Sequence, residues 1–363
     1  MACRNRTIKA ISLCALGEAS ARFLSLIFTA EIATLYLMAQ QISRRGFVKA
    51  SLIASAAVPL GLSRPSRSSA QTPVTPAAST ATPPQETMPT GKMGGQEFSR
   101  LIMGGNLFGG WSHSRDLAYV STLMRRYNTD AKIRETLELA EAQGVTAINT
   151  YVMQENSHLF NHWKCGGKMK WFAQVRLDAD GGYSQIQKAA DEGAAGIHVN
   201  GDAAEALLRE GKFEKTGEMV QLIKSKKRVA GVGAHDLRVI VECEKAKLDV
   251  DFYQKTFHSH DYFTAPRPEE KDPMGTHDNS WCSDPQAVID FMATVKKPWV
   301  AFKILAAGAI QPHAAFPYAF NSGADFILVG MFDWQIEKDT KLARRVIAAV
   351  TSPSSKRTRP WYG

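Results

Sequence analysis

The chain has 363 residues, of which 44% are hydrophobic, so it can form one large globular domain or two of average size. Its net charge of +9 comes from 44 Lys or Arg residues against 35 Asp or Glu residues. The first 70 residues hold nine of the basic and two of the acidic residues, which leaves 35 against 33 for the rest. The basic excess lies in this leader, and the nearly neutral body gives no charge-based argument for a nucleic-acid partner.

Residues 1–70 contain the pattern of a twin-arginine export signal. Residues 43–49 read Ser-Arg-Arg-Gly-Phe-Val-Lys, a short apolar stretch follows at 50–62, and small residues occupy 68–70. The apolar stretch is too short to cross a bilayer. We therefore expect export to the periplasm by the Tat translocase, no permanent membrane span in the mature chain, and a true start at Met38, which places the arginines at the usual distance.

Residues 71–96 are rich in Pro, Thr, Ala and Ser and have few large apolar side chains. Such a segment cannot bury enough surface to offset the entropy lost on ordering, so it is expected to be a disordered linker. The folded body is expected to cover 97–351, and 352–363 to form a C-terminal tail.

The body alternates apolar runs with helical patterns, which predicts an α/β fold. Eight strands are expected to end near Gly104, Asn149, Val175, His198, His235, His258, Leu305 and Gly330. Helices are expected at 130–142, 182–192, 203–209, 214–226, 236–247, 284–295, 312–321 and 336–350. Eight such units predict a TIM (β/α)8 barrel, with a doubly wound open sheet as the alternative. The longest irregular segments, 106–128 and 259–283, would lie on the C-terminal rim.

Three histidines end consecutive predicted strands: His198, His235 and His258. Strand ends of a barrel meet at one pocket, so these imidazoles could hold a divalent metal, zinc or manganese, with His260 and Asp178 as further ligands. The alternative is that one or more of them are hydrogen-bonded residues of the rim.

Lys303 interrupts an otherwise apolar strand. A desolvated lysine can act as a base, a Schiff-base nucleophile or an electrostatic clamp, and the alternative is pairing with a buried carboxylate. Gly308, Gly330 and Met331 follow strands seven and eight, where many barrels bind phosphate or a nucleotide through backbone amides, although small residues also serve tight turns there.

Further polar candidates on the rim are Asn149, Tyr151 and Arg176. Trp111, His113, Trp281 and Trp334 could offer aromatic surface for a sugar or simply pack in loops. Lys255 precedes His258 by three residues, so the two side chains are expected on opposite faces of the strand.

Residues 100–345 resemble an aldo-keto reductase barrel, through the glycine-rich segment 103–110, the segments 142–150 and 227–233, and Gly196-Ile197-His198. The resemblance implies NADP as cofactor. It also implies an Asp and a Tyr after strand two, a Lys after strand three and a His after strand four.

Of these four family positions only His198 carries over. Asn149 and Gln154 stand for the Asp and the Tyr, and Gln174 or Arg176 for the Lys. A reductase mechanism would then need Tyr151 as a displaced proton donor.

Three functions therefore stay open. The first is an exported enzyme that uses the three histidines, a metal and Lys303 for proton transfer, as a lyase, hydratase or isomerase, on a small keto or polyhydroxy substrate. The second is a divergent NADP-dependent aldo-keto reductase. The third is a barrel that binds sugars without catalysis.

Overall fold

The computed structural model describes residues 87–267, 269, 277–357 and 359–363. The twin-arginine segment and residues 71–86 of the expected linker lie outside the described residues. Eight parallel strands form a closed barrel in chain order, in which the last strand pairs with the first, so the predicted TIM barrel is confirmed. An antiparallel hairpin precedes it. The strands are β1 (Thr90–Met93), β2 (Gln96–Ser99), β3 (Leu101–Gly104), β4 (Ala147–Tyr151), β5 (Lys170–Val175), β6 (Gly196–Val199), β7 (Val229–Ala234), β8 (Phe252–Thr256), β9 (Trp299–Phe302) and β10 (Phe326–Val329).

Helices surround the barrel, and in the described ranges none is long and apolar enough to cross a membrane. They span Asn106–Gly109, Tyr119–Tyr127, Asp130–Ala142, Ser157–Lys164, Ser184–Asp191, Gly201–Arg209, Glu214–Ser225, Leu237–Lys245, Pro285–Thr294, Pro312–Asn321 and Asp333–Thr351. The sequence did not predict Ser157–Lys164 or the two helices within 106–128. Helix Ser157–Lys164 lacks a clear apolar pattern because a polar residue, His162, occupies its buried face. His162 Nε2 forms a hydrogen bond with Glu141 Oε2 at 2.8 Å.

The hairpin of β1 and β2 corrects the expected linker boundary, because ordered structure begins before Glu97. Met93 and Phe98 are buried among side chains that point into the barrel, and the Phe98 ring lies 4.7 Å from that of Phe172. The hairpin thus fills the N-terminal end of the barrel with apolar side chains. The sequence did not predict the hairpin, because its two strands are only four residues long. Burial of Met93 and Phe98 stabilises it.

Glycines inside the barrel make room for the aromatic side chains of this apolar layer. A Cβ atom on Gly196 would lie 2.3 Å from the Phe172 ring, and one on Gly231 would lie 2.4 Å from the Phe252 ring. Side chains alternate along a strand, so the residue two positions further on also points into the barrel. On β4, β5, β6 and β8 this residue lies one layer closer to the C-terminal rim. That layer is polar and consists of Asn149, Gln174, His198 and Gln254.

The tail after residue 351 packs onto the barrel through a buried ionic cluster around Asp325. The Asp325 carboxylate pairs with Arg357 at 3.0 Å and with Arg359 at 2.6 Å. It also accepts hydrogen bonds from the backbone N–H of Trp299 and Tyr362. The tail therefore holds the strand that closes the barrel.

We expect Asp325→Asn to lower the free energy of unfolding in urea by about 3–5 kcal/mol, because it leaves two buried guanidinium groups without their counter-charge. Glu242→Gln, which removes an exposed partner of Lys245, is the matched control and should cost no more than about 0.5 kcal/mol. Equal effects of the two substitutions would contradict the stabilising role of the cluster.

Candidate functional site

A cavity of about 420 Å³ lies at the C-terminal ends of the barrel strands. Its wall includes six amide side chains, a lysine, two histidines and two tryptophans: Asn106, Asn149, Gln174, Asn200, Gln254, Gln335, Lys303, His113, His235, Trp111 and Trp281. Active sites of (β/α)8 barrels lie at this end because the loops there vary without disturbing the barrel.

The amides form a chain of hydrogen bonds that starts at His198. The His198 Nδ1–H donates to the Val199 carbonyl at 3.3 Å, and Nε2 accepts from Asn149 Nδ2 at 2.9 Å. Asn149 Oδ1 accepts from Gln174 Nε2 at 2.7 Å, and Gln174 Oε1 accepts from Asn200 Nδ2 at 2.9 Å. Burial lowers the pKa of His198 to about 4, so the ring is neutral near pH 7.

His258 is engaged by the backbone of its own loop. Its Nε2 accepts from the Trp281 N–H and its Nδ1 donates to the Ser259 carbonyl, both at 3.1 Å. Burial lowers the pKa of His258 to about 4 as well. The structure therefore does not bring His198, His235 and His258 together as the predicted metal site. Both nitrogens of His198 and of His258 have hydrogen-bond partners, and neither residue belongs to the metal-competent cluster found among the described residues.

The two further predicted ligands are also structural. His260 Nε2 donates to the Cys282 carbonyl at 2.7 Å and so fixes the same loop. The Asp178 carboxylate accepts from the backbone N–H and the hydroxyl of Ser184, at 2.7 and 2.9 Å, at the start of a helix. A carboxylate at a helix N-terminus satisfies backbone donors that have no partner within the helix.

Among the residues that the structure describes, the cluster that could hold a cation consists of Asp202, Glu205 and His235, whose ligand atoms lie within 4.8 Å of one another. His235 Nδ1 lies 3.4 Å from Asp202 Oδ1 and 3.3 Å from Glu205 Oε1. Glu205 is buried and its Oε1 accepts from the backbone N–H of His235 and of Asp236. One imidazole with two carboxylates is a donor set that suits zinc or manganese.

Sequence reasoning missed both carboxylates of this cluster. They lie three residues apart on the helix Gly201–Arg209, directly after β6, so their spacing places them on one face. That spacing at a strand end was the available signal. The strand-end histidines drew the prediction elsewhere, and of them only His235 belongs to the cluster.

Lys303 projects into the cavity with its amine over the Trp281 ring, 3.2 Å from the ring centroid. Burial lowers the pKa of Lys303 to about 7, against the opposing charges of Asp202, Asp278 and Glu205. Among the described residues no carboxylate lies within ion-pair distance of its Nζ. The predicted alternative, pairing with a buried carboxylate, is therefore not found among these residues.

Lys255 shows what a structural buried lysine looks like in this barrel. Its Nζ donates to the His235 carbonyl at 2.6 Å and to the Thr256 carbonyl and hydroxyl at 3.0 and 2.8 Å. Its neighbour Gln254 lines the cavity and Lys255 does not, as the alternation along β8 requires.

The remaining polar candidates take different positions. Asn149 lies in the amide chain, and Arg176 is exposed at the cavity rim, where Nη2 donates to Asp202 Oδ2 at 3.2 Å. Tyr151 packs beside Arg176 and against Trp111, with ring centroids 6.2 Å apart, and does not line the cavity. Its expected role as a displaced proton donor therefore has no support in this geometry.

The glycines expected to bind a cofactor lie where predicted, since Gly308 and Gly330 both line the cavity. Met331 is wholly buried in the hydrophobic core and does not line the cavity. Gly308 has φ +91°, and the preceding Ala306 and Ala307 have φ 44° and 56°, so this turn is left-handed throughout.

No family model and no curated protein sequence matches the chain. A solved structure of a Pseudomonas aeruginosa protein, assigned as an aldo-keto reductase, is 15% identical with a TM-score of 0.52, over 72% of this chain and 98% of the other. The barrel therefore resembles those of aldo-keto reductases. An aldo-keto reductase from Bacillus halodurans in its holo form is 11% identical with a TM-score of 0.47, over 75% of this chain and 100% of its own. At these identities the likeness shows the fold alone.

The two neutral histidines predict how stability depends on pH. Each has an ordinary pKa of 6.5 and a pKa of about 4 in the fold, so only the unfolded chain takes up protons between these values. The stabilisation is complete above pH 6.5 and is lost as the pH falls towards 4, by up to about 3 kcal/mol for each histidine.

This dependence can be measured by urea unfolding between pH 4 and 7. His258→Gln should reduce the loss of stability on acidification by roughly half of the combined effect. An unchanged pH slope in that variant would show that His258 does not stay neutral in the fold.

Proposed function

We propose that this protein is an enzyme that moves a proton at the carbon next to a carbonyl group of a small keto or polyhydroxy substrate, with Lys303 as the base. The observation that supports this most is the cavity-facing amine, whose pKa of about 7 leaves much of it uncharged at neutral pH. A base works best when its pKa lies near the working pH.

The rest of the cavity suits such a substrate. The amide side chains are uncharged and can exchange hydrogen bonds with hydroxyl groups, while Trp111 offers an apolar face to carbon-bound hydrogens. Proton removal beside a carbonyl is the first step of isomerisation, of elimination and of many hydration reactions in reverse. The proposal covers this shared step.

A divalent metal, zinc or manganese, would be held by Asp202, Glu205 and His235. Bound there, it would supply Lewis-acid polarisation of a carbonyl oxygen. Glu205 is kept in place by two backbone N–H groups, and Arg176 bonds to the outer oxygen of Asp202. We also propose that the protein is exported folded through the Tat route, on the strength of the arginine pair at 44–45.

Deuterium exchange tests the shared step without knowledge of the full reaction. In D2O, dihydroxyacetone, glyceraldehyde and hydroxypyruvate should lose their α-proton NMR signals faster with the protein than without it. The rate should rise with pH through about 7, because only the uncharged amine of Lys303 accepts a proton. Lys303→Met should lower the rate at least about 100-fold, whereas Lys245→Met, at an exposed site, should not change it.

Exchange that persists in Lys303→Met would contradict the proposal. Quenching of NADPH fluorescence on titration, with carbonyl-dependent oxidation of the nucleotide, would instead support the reductase alternative, which the barrel fold and the cavity-lining Gly308 and Gly330 favour. Saturable sugar binding without exchange or oxidation would support the non-catalytic alternative.

Metal analysis tests the cation site separately. After incubation with zinc or manganese and dialysis, we expect one ion per chain and a higher unfolding temperature, since a ligand that binds only the folded state stabilises it. His235→Ala should lose the ion. His258→Gln, which replaces a buried histidine outside the cluster, should keep it. Equal metal content in both variants would place the ion elsewhere.

A further inference from the structure

Two loops from different parts of the barrel meet above the Lys303 amine. His113, from the segment after β3, places Nε2 at 3.4 Å from Lys303 Nζ. Asp278, from the segment after β8, lies on the other side of that ring, with Oδ1 at 3.0 Å from His113 Nδ1. The side chains of His113 and Asp278 are 31% and 44% exposed, so the chain of three groups runs from the cavity to solvent.

The hydrogen bonds define the tautomer of His113. An ionised Asp278 carboxylate can only accept, so Nδ1 carries the proton and Nε2 has the free lone pair. Nε2 then accepts from Lys303 Nζ and from Asn106 Nδ2, which is 3.3 Å away. The imidazole therefore presents a proton acceptor to the lysine and a donor to the carboxylate.

The backbone of this loop is held in an unfavourable conformation. His113 has φ 48° and Arg115 has φ 59°, in the left-handed region that few residues other than glycine adopt, although His, Asn and Asp occur there more often than other residues. Such conformations persist where surrounding contacts impose them, and they concentrate at functional sites. Here the conformation brings the His113 ring between Lys303 and Asp278.

We propose that His113 and Asp278 are positioning residues that carry the proton of Lys303 to solvent and so return the amine to its basic form. This inference rests on the proposed function, because it assumes that Lys303 removes a proton from substrate. It adds a proton route that leaves the cavity at the junction of the two loops.

The proton passes from substrate to solvent in three transfers. The lone pair of Lys303 Nζ takes a proton from the substrate carbon, and the electrons of the broken C–H bond move to the carbonyl oxygen as an enolate. The ammonium then gives one proton to His113 Nε2 and becomes an amine again. The imidazolium, stabilised by the Asp278 carboxylate, releases a proton to water.

The charges that face this pair act on the proton affinity of both groups. Burial lowers the pKa of His113, and Lys303 lowers it further, while Asp278 raises it. Asp202, Asp278 and Glu205 raise the pKa of Lys303 against the larger effect of burial, and His235 faces both groups from β7.

The decisive variant is His113→Gly. Glycine adopts a positive φ readily, so this change relieves the backbone while it leaves an imidazole-sized space beside Lys303. We expect deuterium exchange to fall roughly 10- to 100-fold and to recover when free imidazole is added. His158→Gln, which changes a histidine outside the cavity, is the matched control and should exchange at the wild-type rate without any response to imidazole.

Asp278→Asn provides the second measurement. It removes a charge that raises the pKa of Lys303, so pulse acetylation of the full chain, followed by peptide mass spectrometry, should show Lys303 reacting at lower pH than in the wild type. Exchange at saturating pH should nevertheless be slower, because the imidazolium loses its counter-charge. A loop contact of purely structural importance predicts neither the acetylation shift nor rescue by imidazole.

The outcomes separate the two proposals. Wild-type exchange in His113→Gly, with exchange lost in Lys303→Met, would overturn the relay and leave the base in place. Slow exchange in His113→Gly without recovery in imidazole would likewise overturn it. Exchange that survives in Lys303→Met would remove the proposed function itself. Recovery by imidazole together with the shift in Asp278→Asn would support the relay.

Discussion

The chemistry of this barrel depends on the Lys303 amine, which is kept away from water and has no carboxylate of the described residues within ion-pair distance. Each nearby carboxylate is engaged by another group: Glu205 by two backbone N–H groups, Asp202 by Arg176 and Asp278 by His113. A direct ion pair would hold Lys303 as an ammonium at every physiological pH. Because these carboxylates are occupied, they raise the pKa of Lys303 only from a distance. Burial lowers that pKa by more, so the pKa comes to lie at about 7.

The polar layer of Asn149, Gln174, His198 and Gln254 also carries no charge near pH 7. The neutral His198 ring offers one acceptor, which fixes the orientation of the Asn149 amide, and each following amide is oriented by the one before it. A charged group in this layer would raise or lower the proton affinity of Lys303 by direct interaction. An ordered set of dipoles can bind hydroxyl groups without disturbing that balance.

The barrel could be predicted from sequence because parallel strands and helices carry strong periodic signals, and most of the predicted strand ends agree with the structure. The site was harder to predict. Strand-end position placed His198 and His258 near the rim, but it could not show that neighbouring carbonyl and N–H groups would occupy their nitrogens. His113 and Asp278 lie 165 residues apart and meet only through the fold, so no spacing within the sequence could pair them.

The ionic cluster at Asp325 has a consequence for biosynthesis. Arg357, Arg359 and Tyr362 complete the burial of a carboxylate at the start of β10, the strand that joins β9 to β3. A nascent chain that has not yet emerged from the ribosome as far as Tyr362 would carry this carboxylate without its counter-charges. Complete closure of the barrel should therefore wait until residues 357–362 are available to fold, and until that moment the edges of β9 and β3 would stay unpaired.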